Sequence, residues 1–314
     1  QNIAYAETGK TFGDMTGMYW DNRPMYERVT KGLPFSNIYA LKNSNKGYSY
    51  SLSLKAEKSF DFGLDLAASY TFTQSKSLCP ATSSQAASNW NNTSTYRFSN
   101  APELGYSAYN LPHMIKASAF YRFHIANNKN FTTTIGVIYQ GRSGSPYSML
   151  YSGDLNGDNG RGNDLMFIPT DEQIDLMPFK AQGNYTEELQ RQNLKAWLAK
   201  TPYLKDHRGE YFKRNADNLP FENHFDFHVA EKMSVKVGKQ VHSLELSLDI
   251  LNVGNLLNKD WGRTYGTTYS NELISPLTYD GGKFQFLSTP DYVIKYPQSY
   301  YSRWRGQLGL KYTF

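Results

Sequence analysis

One pattern constrains this chain more than any other. A two-residue period recurs along it, with one face apolar or aromatic and the other polar or charged. In the last stretch Trp304, Gly306, Leu308, Leu310, Tyr312 and Phe314 fall on one face, and Arg303, Arg305, Gln307, Gly309, Lys311 and Thr313 on the other. Successive strand side chains point to opposite faces, so this is a two-faced β-strand. The same alternation runs through residues 48–57, 64–73, 115–123, 131–142, 221–229 and 244–250. Only one stretch reads as a helix. Thr186 is its N-cap, Glu187 and Glu188 fill its first turn, and Leu194, Trp197 and Leu198 share a face before it ends near Lys200.

The connections alternate in length. Short turns are expected near 58–62, 125–130 and 233–240, and long loops at 75–109, 143–220 and 252–301. Asn43–Gly47 reads either as a hairpin turn or, preferably, as a bend in one long strand over 38–58. Turns short on one end and long on the other are the asymmetry of an outer-membrane barrel. The alternative, a soluble sandwich, would not put every long connection on the same end. The polar faces carry Asp65, Lys116, Arg122, Arg142, His224, Asp226, Glu245, Asp249, Arg303 and Arg305, a density that needs a watery or protein-filled lumen.

Composition agrees. Hydrophobic residues make up 39% of the 314, aromatics 15%, and mean hydropathy is −0.61. No run of 18 apolar residues offers a transmembrane helix, whereas a barrel strand alternates and stays polar on average. The net charge of +5 is mild and no basic run stands out, so a nucleic-acid partner is not expected. The lone Cys79 excludes an internal disulfide and reads as a free thiol. The opening Gln1–Ala6 is neither a start methionine nor a signal peptide, so the chain is expected to begin internally.

The fold expected is therefore all-β: about seven or eight C-terminal strands of a large antiparallel transmembrane β-barrel with long extracellular loops. Residues 1–35 are expected to form an extracellular loop or strand extension, and residues 36–314 the barrel part. Such strands cannot close alone, because unpaired edge groups in lipid cost several kcal/mol each. Further strands, from this chain or another, are expected.

Three stretches resemble one family, the TonB-dependent outer-membrane receptors, within it the Oar-like branch of Bacteroidota. They are Gln140–Tyr147 followed by Gly153–Asp158 and Gly162–Leu165, then Asp249–Gly262, then Arg303–Gly309; Lys46–Tyr50 fits as well. The resemblance implies the C-terminal part of a plugged, energised barrel for a bulky substrate. It also implies an N-terminal plug, contact with TonB through that plug, and uptake driven by the proton-motive force. The ending, with Gln307, Gly309, Tyr312 and Phe314, resembles the signal read by the barrel-assembly machinery. Outer-membrane lipid would surround the barrel, and a surface lipoprotein or secreted protein is a candidate partner for its loops.

Candidate sites lie in the loops. Asp154, Asn156 and Asp158 are spaced as in a calcium loop, with Asp164 beyond. The EF-hand glycine and glutamate are replaced by Asn159 and Leu165. A bound Ca²⁺ or Mg²⁺ therefore competes with the favoured reading of a hydrogen-bonded Asx-rich turn. Trp20, Trp90, Trp197 and Trp261 are either ligand platforms or loop packing. His224, Asp226 and His228 share a strand face and read as lumen-facing polar groups. No Ser-His-Asp order, phosphate loop or HExxH stretch is found, so no enzyme activity is expected. Besides a receptor-transporter, the pattern allows a structural or adhesive barrel subunit and a passive porin.

Overall fold

The computed structural model describes residues 1–34, 37–181, 183–267 and 297–314, and the backbone alone of 272–280, 283–287 and 296. The rest of the predicted 252–301 loop lies outside the described residues. Seven long strands form the main sheet: β1 (Tyr48–Ser59), β2 (Leu64–Ser77), β3 (His113–Phe123), β4 (Phe131–Arg142), β5 (Glu222–Val237), β6 (Gln240–Leu251) and β7 (Arg305–Thr313). They pair antiparallel in chain order from β1 to β7, and the short Gly105–Tyr106 strand adds to the end of β2. Over the described residues the sheet is an up-and-down meander that does not close on itself, with β1 and β7 as its two edges.

The three short turns lie on one edge of the meander. Gly63 closes the β1–β2 turn at φ +94°, a left-handed conformation that favours glycine. A Cβ there would come within 2.1 Å of the Arg122 carbonyl oxygen, and Arg122 N–H donates to Gly63 O at 2.8 Å. A single 3₁₀ turn, Ile125–Asn127, joins β3 to β4. Between β5 and β6 only Gly238 and Lys239 intervene.

The register aligns one apolar face across the whole sheet. Leu54 opposes Tyr70 and Tyr70 opposes Ile115. Val137 opposes both Ala119 and Phe227, and Leu246 opposes Leu310. These side chains stand outward, Leu54 at 65% exposure and Leu308 at 77%. The opposite face is polar. There Arg142 Nε lies 2.8 Å from Glu222 Oε2, and His228 Nδ1 lies 2.6 Å from Asp249 Oδ1.

Two boundaries differ from the sequence reading. The bend expected at Asn43–Gly47 is not part of a strand; β1 begins at Tyr48, and before it Tyr39 makes only an isolated bridge to Asn2. The last short turn is much shorter than expected. β5 continues through Glu231, a carboxylate on the apolar row whose Oε2 accepts from Thr133 Oγ1–H at 2.5 Å.

The main packed core lies outside the sheet. Phe12, Met18 and Met25 pack with Met149, Leu155, Met166, Ile174, Phe179, Leu194, Leu198 and Phe212. These come from the N-terminal segment and the long β4–β5 connection, which together form a cap over the long-loop edge. Residues 1–35 thus hold a hairpin, Tyr5–Thr11 with Pro24–Arg28, joined through the helix Phe12–Thr16. The predicted helix is α1 (Glu187–Lys200), with Thr186 Oγ1 accepting from Leu189 N–H at 3.1 Å. It buries Leu194 and Leu198, as its apolar spacing requires.

Candidate functional site in the loop cap

Arg23 is the centre of the cap. The local turn Trp20–Pro24 folds its guanidinium back onto Asp21, with Nε 3.0 Å from Asp21 Oδ1. Nη1 reaches Asp164 Oδ1 at 3.3 Å and Nη2 donates to the Leu165 carbonyl at 3.0 Å. The guanidinium carbon lies 5.0 Å from the ring centroid of Tyr151 and 5.6 Å from that of Tyr211. No part of Arg23 meets solvent. Burial works against its charge, but Asp21 and Asp164 more than compensate, so its pKa is raised. One buried cation thereby ties the N-terminal segment to the loop that carries the Asp-rich motif.

That motif folds as a tight turn. Asp154 Oδ1 accepts from Gly157 and Asp158 N–H at 2.8 and 3.2 Å, and its Oδ2 from Asn159 N–H at 2.8 Å. Asn156 Oδ1 accepts from Asp158 N–H at 3.0 Å, while its Nδ2 donates to Arg97 O at 2.6 Å. Asp164 Oδ2 accepts from Leu155 N–H at 2.8 Å. Burial raises all three acids. Asp158 is pushed up to about 8, with Asp164 and Asp154 adding to the rise. Asp164 is pushed up to about 7 by burial, with Arg23 opposing. Asp154 is raised by burial against three backbone N–H donors. The ligand set Asp154, Asn156, Asp158 and Asp164 is largely committed to these bonds. Among the described residues no three His, Cys, Asp or Glu side chains converge as metal ligands.

The four tryptophans divide. Trp90 is buried, donates Nε1–H to Asn100 Oδ1 at 2.8 Å and meets Phe98 edge-on. Trp20 and Trp197 pack against the cap core. Of these candidate platforms Trp261 stays exposed, lining a hollow of about 330 Å³ with Phe221, Phe225 and Arg263 on the outer wall. The aromatic surface that sequence reasoning missed is made of tyrosines. A cavity of about 420 Å³ opens between the β2–β3 and β4–β5 loops, lined by Lys76, Tyr96, Glu103, Tyr106, Tyr211 and Arg214 among others. In it Tyr96 and Tyr211 stack with centroids 4.2 Å apart. Nothing local in the sequence pairs two tyrosines so far apart along the chain.

His224, Asp226 and His228 lie on the polar face as expected. His224 Nε2 is 3.2 Å from Thr264 Oγ1, and Asp226 Oδ1 accepts from Asn252 N–H at 2.7 Å. The assembly-signal residues sit on β7, where Gln307 opposes Asp249, Gly309 opposes Ser247 and Tyr312 opposes Leu244. Phe314 follows the strand and stacks on Tyr312 with centroids 5.8 Å apart.

A meander with an outward apolar face, a charged inner face, short turns on one edge and a folded cap on the other is the wall of an outer-membrane β-barrel. Residues 4–272 match the family model described as Outer membrane beta barrel domain. The chain belongs to that family, and its place is the outer membrane, crossed many times by strands. No curated protein and no solved structure matches the chain.

Proposed function

We propose that this chain is the C-terminal wall and cap of a TonB-dependent receptor of the Oar-like branch, taking up a bulky substrate with proton-motive-force energy. The observation that carries this reading is the pairing of a charged inner face with two open sheet edges. His228–Asp249, within the β5–β6 ladder, and Arg142–Glu222, at its long-loop end, lie on that face, where charges need water or protein beside them. Among the described residues β1 and β7 each have one strand neighbour, and lipid tolerates no unpaired edge. Further strands would close the wall, and a plug facing the charged surface would receive TonB. The tyrosine-lined cavity and the exposed Trp261 are the loop surfaces that a substrate or surface lipoprotein would meet first. The chain's role is binding and passage, with no bond-making chemistry.

Planar-bilayer recording of the intact receptor tests the reading. A plugged barrel stays nearly silent until mild urea unfolds the plug, and then conducts. Steady conductance without urea would mean a passive porin. Silence that urea never relieves would mean a structural or adhesive barrel.

A further inference from the structure

The turn Asp154–Asp164 holds two buried oxygens that no donor reaches. Asp158 is fully buried and Asn163 is 2% exposed. Asp158 Oδ2 and Asn163 Oδ1 have no hydrogen-bond partner. Leaving such groups unpaired costs roughly 1–3 kcal/mol each, more for a charge, so both point to something that binds them. Both residues lie beside Gly160. Asp158 Oδ1 accepts from Gly160 N–H at 2.7 Å, and the Asn163 amide lies where a Gly160 side chain would stand, 2.3–2.8 Å from that position. The amide orientation is set from outside the turn. Ser99 Oγ–H donates to Thr93 O at 3.3 Å, so it receives Asn163 Nδ2–H at 3.0 Å and leaves Oδ1 as the unpaired end of the amide.

Charge points the same way. Asp21, Asp158 and Asp164 are buried, with Arg23 buried among them, and Asp154 stands beside them. Arg23 is engaged with Asp21 and Asp164, and among the described residues Asp158 makes no ion pair. The donor set is oxygen only, carboxylate and amide, which suits a hard cation and not zinc.

We propose that this turn binds a divalent cation of the calcium type, with Asp158 Oδ2 and Asn163 Oδ1 as its side-chain ligands. Backbone carbonyls and water complete the shell, as they do at weak extracellular calcium sites. The cation then locks the Asp-rich turn to Arg23 and through it to the N-terminal hairpin. This inference does not depend on TonB or on a plug.

The test uses the intact protein in detergent after chelation, with calcium chloride as the probe. Cap unfolding is followed by tryptophan fluorescence, since Trp20 and Trp197 pack against the cap core and Trp90 packs with Tyr26 of the N-terminal hairpin. The expected result is a melting temperature that climbs with the logarithm of calcium concentration. Asp158→Asn and Asn163→Ala should each abolish most of that climb while the barrel keeps its heat-modifiable gel migration. A proton on Asp158 is the competing occupant, and it gives a different outcome: no calcium response in the parent protein, and a cap in Asp158→Asn as stable as the parent. That result, or an undiminished calcium response in both variants, would overturn the proposal.

Discussion

The sheet and the cap solve the same problem in opposite solvents. In the cap, Phe12, Met149, Leu194 and Leu198 are fully buried, and the cation Arg23 is buried with them. In the sheet the large apolar side chains point outward, Leu54, Leu246, Leu308 and Leu310 among them. The cap excludes water by packing, at the density of any globular interior. The sheet offers its apolar face to lipid and relies on the ladder for its backbone groups, since lipid supplies no partner. An apolar residue is therefore a core signal in one half of this molecule and a surface signal in the other.

The largest expected effect falls on the cap. Arg23→Ala leaves Asp21 and Asp164 buried without their cation, and removing one partner of a buried pair costs about 3–5 kcal/mol. The cap should lose its cooperative fluorescence transition and become open to protease between residues 140 and 220. The wall should keep its heat-modifiable migration. Loss of the folded barrel as well would mean that cap and wall are one cooperative unit.

Val137→Arg is the complementary change. Val137 lies mid-strand in β4 between Ala119 and Phe227 on the apolar face. An arginine at the bilayer midplane of a barrel costs about 2–4 kcal/mol. Refolding into lipid vesicles, measured by urea titration, should show that loss, with the cap's calcium response unchanged. If Val137→Arg is neutral in lipid, this face does not meet the hydrocarbon.

These two changes also mark what the sequence could and could not reveal. The wall was legible because its signal is local. A period of two with Tyr, Leu and Val on one side needs no knowledge of what pairs with it, and register then follows from short turns. Where it misled, one residue broke the local rule. Glu231 puts a carboxylate on the apolar row just before the turn expected at 233–240, but Thr133 on β4 supplies its partner, and the strand runs on to Val237. The cap was not legible beyond its helix. Phe12, Met18 and Met25 show no period, and their partners lie more than 100 residues away. Asp21 beside Arg23 is a local hint, but the Arg23–Asp164 bond spans 141 residues. The Asp-rich spacing marked the right turn, while the orphaned oxygen of Asn163 emerged only when the turn was folded against Ser99.

A smaller effect belongs to the short-turn edge. Gly63→Ala meets both a left-handed φ of +94° and a Cβ position 2.1 Å from a backbone oxygen that cannot swing aside. Strain of this kind costs about 1–3 kcal/mol. Refolding should slow or weaken while the cap's melting is untouched. An effect confined to the cap would show that the two regions communicate through β2 and β3.

The smallest predicted change tests whether the cap behaves as an ordinary water-soluble fold. Thr186→Ala removes the hydroxyl that accepts Leu189 N–H at the start of α1, a loss of about 1 kcal/mol at a typical N-cap. Thr186→Ser retains the acceptor and should recover most of it. In water the freed N–H finds solvent, so the penalty stays near that value. In a membrane the same N–H would have no substitute and the cost would be several-fold larger. A shift in cap melting that matches the soluble value places α1 in water, with Leu194 and Leu198 turned inward to Phe179 and Ile174. A much larger loss would place this helix in the bilayer, and the division of the molecule into a lipid-facing wall and a water-facing cap would fail.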